Sequence, residues 1–220
     1  MNGLVFDFHQ EKLLALGTGA LWWARTKTLI VADLHLGKSN RIVRQSGTLL
    51  PPYETQDTLA RLDGDIRAHD PAHVICLGDS FDDPTGAETI DDQTALWLTR
   101  LQAGRRWSWV EGNHDPGNLG LGGSYRTDLK IDELCFRHIA EAAASGEISG
   151  HFHPKARLPT RGRLVSRSCF LLNADRLIMP AYGTYTGGLC SSAPVLDALM
   201  GPKAEAILTG PRLFRIPMPR

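Results

Sequence analysis

Residues 28–39 read TLIVADLHLGKS: a short run dominated by β-branched and apolar side chains, followed at once by an acid, a leucine and an imidazole. Five residues of that character bounded by polar ones read as a buried strand, and Asp33 and His35 stand just past its carboxyl end. The same order recurs three times. HVICL (73–77) runs into Gly78-Asp79, WSWV (107–110) reaches Gly112-Asn113-His114-Asp115 after one Glu, and GEIS (146–149) runs into Gly150-His151-Phe152-His153. In open α/β sheets ligands bind beyond the carboxyl ends of the strands, so these four tips are expected to converge on one site. A rival reading takes ADLHLGKS for the phosphate loop GxxxxGK[ST]. Ala32 replaces its first glycine, however, and Asp33 would set a negative charge where phosphates must sit.

The rest of the chain agrees with a layered α/β design. Further apolar runs, LVFDF, KLLAL, ALWW, CFLL and RLIM, are each broken by turn residues. Between the strands lie two helical patterns. In residues 54–69 Leu59, Leu62 and Ile66 share a face, and in residues 90–101 Ile90, Trp97, Leu98 and Leu101 do so. Strands, then strands alternating with helices, then strands again indicate an α/β or α+β sandwich, read as one domain over residues 1–220. Gly-rich NLGLGGS (118–124) reads as a connector.

The residues at the four tips have a common chemistry. Asp33, His35, Asp79, Asn113, His151 and His153 offer carboxylates, imidazoles and an amide oxygen but no thiolate, a donor set suited to Mn, Fe or Zn. Six donors exceed the three protein ligands common for one catalytic zinc, so two ions sharing a carboxylate is the economical reading. In an extended chain alternate side chains point the same way, so His151 and His153 are expected to face one spot and Phe152 the other.

DLH, GDSFD, GNHD and GHFH, in this order and each after a strand, resemble the signature blocks of the calcineurin-like metallophosphoesterase superfamily. Longer stretches, LIVADLHLGKSNRIVRQSGTLLPP, ICLGDSFDD and EISGHFHPKARL, are similar to the bacterial ligase-associated DNA-damage-response metallophosphoesterases. The genes of that family lie beside an ATP-dependent DNA ligase, a helicase and a nuclease. The resemblance implies a four-layer αββα sandwich of two mixed β-sheets flanked by helices. It implies two divalent ions, Mn2+ before Fe or Zn: Asp33, His35 and His153 on the first, Asp79 bridging, and Asn113 and His151 on the second. His138, the one histidine between His114 and His151, fills a further ligand place. The implied activity is phosphodiester hydrolysis, as a DNA endonuclease or phosphodiesterase in ligase-associated repair; the alternative is a phosphodiesterase or pyrophosphatase on small nucleotide or nucleotide-lipid substrates. His114 is expected to stabilise the transition state or protonate the leaving oxygen, with Asp115 orienting it or simply capping a turn. Asp82 departs from the close relatives, where a histidine is expected.

Substrate contacts are expected from Arg41 and Arg44, and from Lys155 and Arg157 in a stretch (148–174) that holds no acidic residue. That stretch reads either as a solvated hairpin or as an arm tracking phosphates. Net charge is zero, with 24 Lys and Arg against 24 Asp and Glu, so no global field selects a polyanion and any such partner must be met locally. The four cysteines form no CxxC pair, the N-terminus lacks the basic and apolar regions of a signal peptide, and no stretch approaches a membrane span of ~20 apolar residues. A cytoplasmic protein acting on DNA, alongside the ligase, helicase and nuclease and with no membrane, is the resulting expectation. Tyr182 and Tyr185 are read as a structured loop near the site rather than a platform for stacking bases.

Overall fold

The computed structural model describes residues 2–39, 53–82, 90–115, 117, 120–160 and 162–220. Among them the chain forms two mixed sheets. The first runs in the order β1 (Gly3–Phe8), β2 (Glu11–Leu16), β3 (Leu21–Trp23), β4 (Thr28–Ala32), β5 (His73–Leu77), β6 (Arg106–Val110) and β7 (Ser124–Arg126). Its pairs are antiparallel from β1 to β4 and parallel from β4 to β7. The second contains β8 (Asp128–Ile131), β9 (Leu134–Arg137), β10 (Glu147–Ser149), β12 (Arg163–Leu172), β13 (Arg176–Ile178), β14 (Glu205–Leu208) and β15 (Phe214–Pro217), with β11 (Lys155–Thr160) paired to β12 in a hairpin. Helices α1 (Glu54–His69) and α2 (Asp92–Gln102) cover the first sheet, and α3 (Pro194–Met200) covers the second.

Side-chain alternation explains the layers. In β4 and β5, all five residues of each strand are buried, as expected of parallel strands covered on both faces. Ile30, Ala32, Ile75 and Leu77 point to the second sheet, where they meet Phe136, Ile148, Phe170 and Leu177. Their neighbours Leu29, Val31, Val74 and Cys76 point the other way, onto Leu59, Leu62 and Ile66 of α1 and Leu98 and Leu101 of α2. Outside the second sheet, Leu171, Ile178 and Ala206 pack on Leu196 and Met200 of α3. The order is therefore helix, sheet, sheet, helix, the αββα sandwich that the resemblance implied. Helix α2 starts where Asp91 accepts the Thr94 N–H at 2.8 Å, a side-chain cap that the apolar periodicity alone does not reveal. Cys76 is buried in β5, whereas Cys135, on alternating β9, is only partly so. Among the described residues no helix is long and apolar enough to cross a membrane.

The strand pairing continues past the ends of β4 and β5. His35 donates its N–H to the Asp79 carbonyl at 2.9 Å, Leu36 to that of Ser80 at 2.9 Å, and Asp82 to that of Leu36 at 3.1 Å. Two loops that carry predicted ligands are thus zipped to each other. Glu54, in the first turn of α1, fastens the far end of the first loop by accepting the Ser39 N–H at 3.0 Å and hydroxyl at 2.6 Å.

His73, buried in β5 with its Nε2 2.8 Å from the Ser108 hydroxyl, is pushed down to about 4, by burial first and by the Arg106 charge second. The folded chain keeps this imidazole neutral while the unfolded chain protonates it near 6.5. Its contribution is therefore complete above pH 6.5 and lost as the pH falls towards 4, on the order of 3 kcal/mol for a shift of this size. His73→Gln should flatten the fall in denaturant-unfolding stability between pH 7 and pH 4.5; the same fall in variant and wild type, both metal-free, would refute it.

Candidate metal centre

The four tips meet. Asp33 and His35 follow β4, Asp79 follows β5, Asn113 and His114 follow β6, His138 follows β9, and His151 and His153 follow β10. Their donor atoms form two clusters, Asp33 with His35 and His153, and Asp79 with His138 and His151, each with all three atoms within 4.8 Å of one another. Asn113 joins the second, its Oδ1 2.9 Å from His138 Nε2. Asp33 lies close to both: its Oδ1 is 3.3 Å from His153 Nε2 and 3.7 Å from His138 Nδ1.

Backbone conformation does much of the aiming. Asp33, His35, Asp79, His151 and His153 all have positive φ, between 43° and 69°. This left-handed region costs an L-residue energy, though Asp and His tolerate it better than most. The extended reading of GHFH is therefore corrected: with both histidines left-handed, strand alternation does not apply. The two imidazoles reach neighbouring clusters instead of one spot. Close approach fixes two glycines. A Cβ on Gly150 would stand 2.5 Å from Asp33 Oδ2, and one on Gly78 would run into the His138 ring.

Hydrogen bonds set the tautomers. A carbonyl only accepts, so the Leu77 carbonyl holds a proton on His138 Nδ1 at 3.2 Å, and with the ring neutral Nε2 is bare. That bare nitrogen faces Asn113 Oδ1, Asp79 Oδ2 at 3.3 Å and His151 Nδ1 at 3.1 Å. His35 Nδ1 lies 2.8 Å from the carboxylate Oδ1 of Asp82, which is 1% exposed and also 3.5 Å from Lys38 Nζ. His35 Nε2 lies 3.3 Å from His153 Nε2. Lone pairs and carboxylate oxygens converging in this way repel one another unless a cation lies among them. The donors present, imidazole, carboxylate and amide oxygen, thus fit divalent ions at both clusters.

The electrostatics agree. Burial alone would raise the Asp79 carboxyl, but without a metal the protonated His138 ring, through its Nε2 hydrogen bond and charge, then the His114 N–H at 2.9 Å and the His35 charge hold it down at about 2. It is ionised at neutral pH, as a ligand must be. His138 is raised: burial opposes its charged form, and Asp79 and Asp33 outweigh burial. His151 is lowered, by burial and then by the His138 charge.

His114 stands beside the first cluster, its ring centroid 5.5 Å from that of His35. Its Nδ1–H donates to the Asp82 carbonyl at 3.0 Å, which turns Nε2 into the ring's free proton site. Asp115 does not orient it. The Asp115 carboxylate instead accepts the N–H groups of Ser80 (2.6 Å), Phe81 (3.1 Å) and Gly112 (3.1 Å), holding the Asp79 and Asn113 loops together, and burial pushes it up to about 6. Asp115 thus caps loops, and the backbone of Asp82 takes the orienting place expected for it. Sequence reasoning missed both roles of Asp82; the signal was its place three residues after Asp79, where a histidine was expected.

Of the expected substrate contacts, Arg41 and Arg44 lie outside the described residues. Lys155 opens β11 directly after the site, with Nζ donating to the Thr186 carbonyl at 3.1 Å, and Arg157 is exposed two residues on. Tyr182 is fully buried and no platform, while Tyr185 is exposed. A cavity of about 430 Å³, lined by Gly112, Asn113, Thr127 and His138, opens beside the second cluster.

A model of the calcineurin-like phosphoesterase family matches residues 26–168, which include both clusters. The crystal structure of the nuclease MPE of Pseudomonas putida superposes with a TM-score of 0.78 at 25% identity, over 98% of this chain and 100% of that one. No curated protein matches the chain.

Chelator-treated protein titrated with Mn2+ should take up about two ions per chain, one for each cluster, and His153→Ala about one. Asp82→Ala should keep both but weaken one by about 10- to 100-fold, because His35 loses the carboxylate that fixes its ring. Unchanged affinity in Asp82→Ala would remove that role.

Proposed function

The chain belongs to the calcineurin-like phosphoesterase family, and on that premise we propose that its substrate is DNA, cut at phosphodiester bonds in the course of ligase-associated repair. It is a hydrolase acting on phosphoester bonds, in a family that uses dinuclear divalent metals. The single observation that carries the proposal is the pair of adjoining ligand clusters with the His114 ring beside them. Likeness to a nuclease over the whole of both chains favours a nucleic acid over a small diester. Mn2+ is the proposed metal, with Fe or Zn next, since carboxylate, imidazole and amide donors suit all three.

When bound, two divalent ions supply an acidified water and neutralise charge on the attacking and leaving oxygens. The chain's own groups do the rest. Asp33, His35 and His153 would hold one ion, and Asp79, Asn113, His138 and His151 the other, with Asp79 able to serve both. His114 has its Nδ1 proton committed to the Asp82 carbonyl, so a proton gained on Nε2 is the one it delivers to the leaving oxygen. The hairpin β11–β12 begins at the site and leads away from it. Its cations Lys155, Arg157, Arg163 and Arg167 have no ion-pair partner among the described residues, which suits them to successive phosphates. Arg41 and Arg44 follow the first ligand loop and are proposed to act likewise. An ATP-dependent DNA ligase, a helicase and a nuclease acting on the same damaged ends are the proposed partners, in the cytoplasm, where four unbridged thiols are at home.

The test is Mn2+-supplemented hydrolysis of labelled single-stranded DNA beside bis(p-nitrophenyl) phosphate. Both should be cut, with Asp79→Asn inactive on both. His114→Ala should lose about 10²- to 10⁴-fold in kcat while still taking up metal. Turnover of the small diester alone would overturn DNA as substrate and favour small nucleotide or nucleotide-lipid diesters. Lys155→Ala and Arg157→Ala should each reduce the salt dependence of DNA binding by about 0.7 to 0.9 in slope; an unchanged slope would mean a merely solvated hairpin.

A further inference from the structure

A second cavity, of about 520 Å³, lies on the same rim of the sandwich as the metal clusters. The loop that leaves β13 forms its wall. Gly183 of that loop lines the cavity and donates its N–H to the carbonyl of Asp33 at 3.0 Å, so the wall and the first ligand loop are one hydrogen-bonded unit.

Two charged residues of α1, one turn apart, also line it. Asp65 is 4% exposed and accepts the hydroxyls of Thr18 (2.7 Å) and Tyr182 (2.9 Å), both on Oδ2. Oδ1 accepts no hydrogen bond among the described residues and is left for the cavity that Asp65 lines. The Arg61 guanidinium lies over the Tyr182 ring at 4.8 Å and gives Nη2 to the Thr184 hydroxyl at 2.9 Å. Its Nε is buried and has no partner. Asp65 as an acceptor and Arg61 as a donor, four residues apart on α1, both line the cavity, and together they suit a ligand that offers the complement.

The pair selects the ligand's chemistry. A bare phosphate would meet Arg61 well but be repelled by Asp65. A neutral group with an acceptor beside a donor satisfies both, and the pairing edge of every DNA base has that form. The volume lies within the range of small-molecule sites. At the rim, the Arg167 guanidinium of β12 lies beside Gly210, 3.7 Å from where a Cβ would stand, suitably placed for a phosphate attached to such a base.

We propose that this cavity receives one unpaired nucleobase of the strand being cut, Asp65 accepting from its edge, Arg61 donating to it, and Arg167 meeting its phosphate. The inference rests on the reading of the chain as a DNA-cleaving enzyme. A base seated there has its pairing edge occupied by protein, so it cannot be in a duplex at the same time.

Asp65→Asn is the conservative probe, since its amide oxygen can keep the Thr18 and Tyr182 bonds while N–H groups replace the free acceptor. It and Arg61→Gln are assayed metal-replete on single-stranded oligonucleotides, each carrying one abasic residue at a successive position around the cut, and on bis(p-nitrophenyl) phosphate. In the wild type one abasic position should cost about tenfold in kcat/KM, the size of one lost hydrogen-bonded contact. The same position should cost the variants nothing further, and their loss on the intact strand should exceed their loss on the small diester by about tenfold. A flat abasic scan in the wild type, or equal losses on both substrates, overturns the proposal. If the wild type cuts the small diester but no DNA, the DNA reading fails by itself. The cavity is then decided by NMR titration of 2′-deoxyadenosine into the metal-free protein: shifts at the Gly183 and Gly210 amides that Asp65→Asn abolishes support it, and their absence overturns it.

Discussion

Both carboxylate oxygens of Asp33 accept the backbone N–H of His151, at 3.1 and 3.0 Å, and this contact joins the tip of one sheet to the tip of the other. The rest of the site follows from that junction. The first cluster takes Asp33 and His35 from the first sheet and His153 from the second; the other takes Asp79 from the first and His138 and His151 from the second. Neither sheet holds a full cluster. What brings them together is the apolar layer between them, where Ile30, Ala32, Ile75 and Leu77 meet Phe136, Ile148 and Leu177. The hydrophobic effect, which has no directional preference, sets the distance between sheets, and left-handed residues at the strand ends turn that distance into ligand geometry.

Much of this was legible in the sequence because the strands near the site are buried on both faces. Such strands read as unbroken apolar runs, and a polar group directly after one stands out: Asp33, Asp79, Asn113 and His151 were all found in that way. The residues of β4, β5 and β6 that point to opposite faces could not be assigned to a layer, since both faces are apolar. Strands β8 and β15, short and half exposed, carry little periodicity, and α3 spans only seven residues. β8 and β15 are outer strands of local hairpins with β9 and β14, and segments this short and exposed leave too little apolar pattern to reveal the pairing.

The errors have a shared physical origin. Reading His151 and His153 as an extended pair assumed that the strand persists past Ser149, but the chain turns left-handed there so that each imidazole can meet a different partner. Of the two roles offered for Asp115, the orienting one assumed that neighbours in sequence interact, and the capping one is what the structure shows. The Asp115 oxygens face the amides of Ser80, Phe81 and Gly112, and the Asp82 carbonyl, more than thirty residues back, receives the His114 N–H. Asp82 serves two imidazoles at once, one through its carboxylate and one through its backbone. A substitution there can alter its contact with His35 while the backbone contact to His114 persists.

The junction between Asp33 and His151 spans 118 residues. A chain emerging from the ribosome therefore completes its first sheet through β6 while still lacking three of the imidazoles, and neither cluster exists until the strand ending at Ser149 and the turn beyond it have docked. Cutting capacity arrives late in the protein's birth and all at once, so truncated fragments that end before the second sheet are born without it.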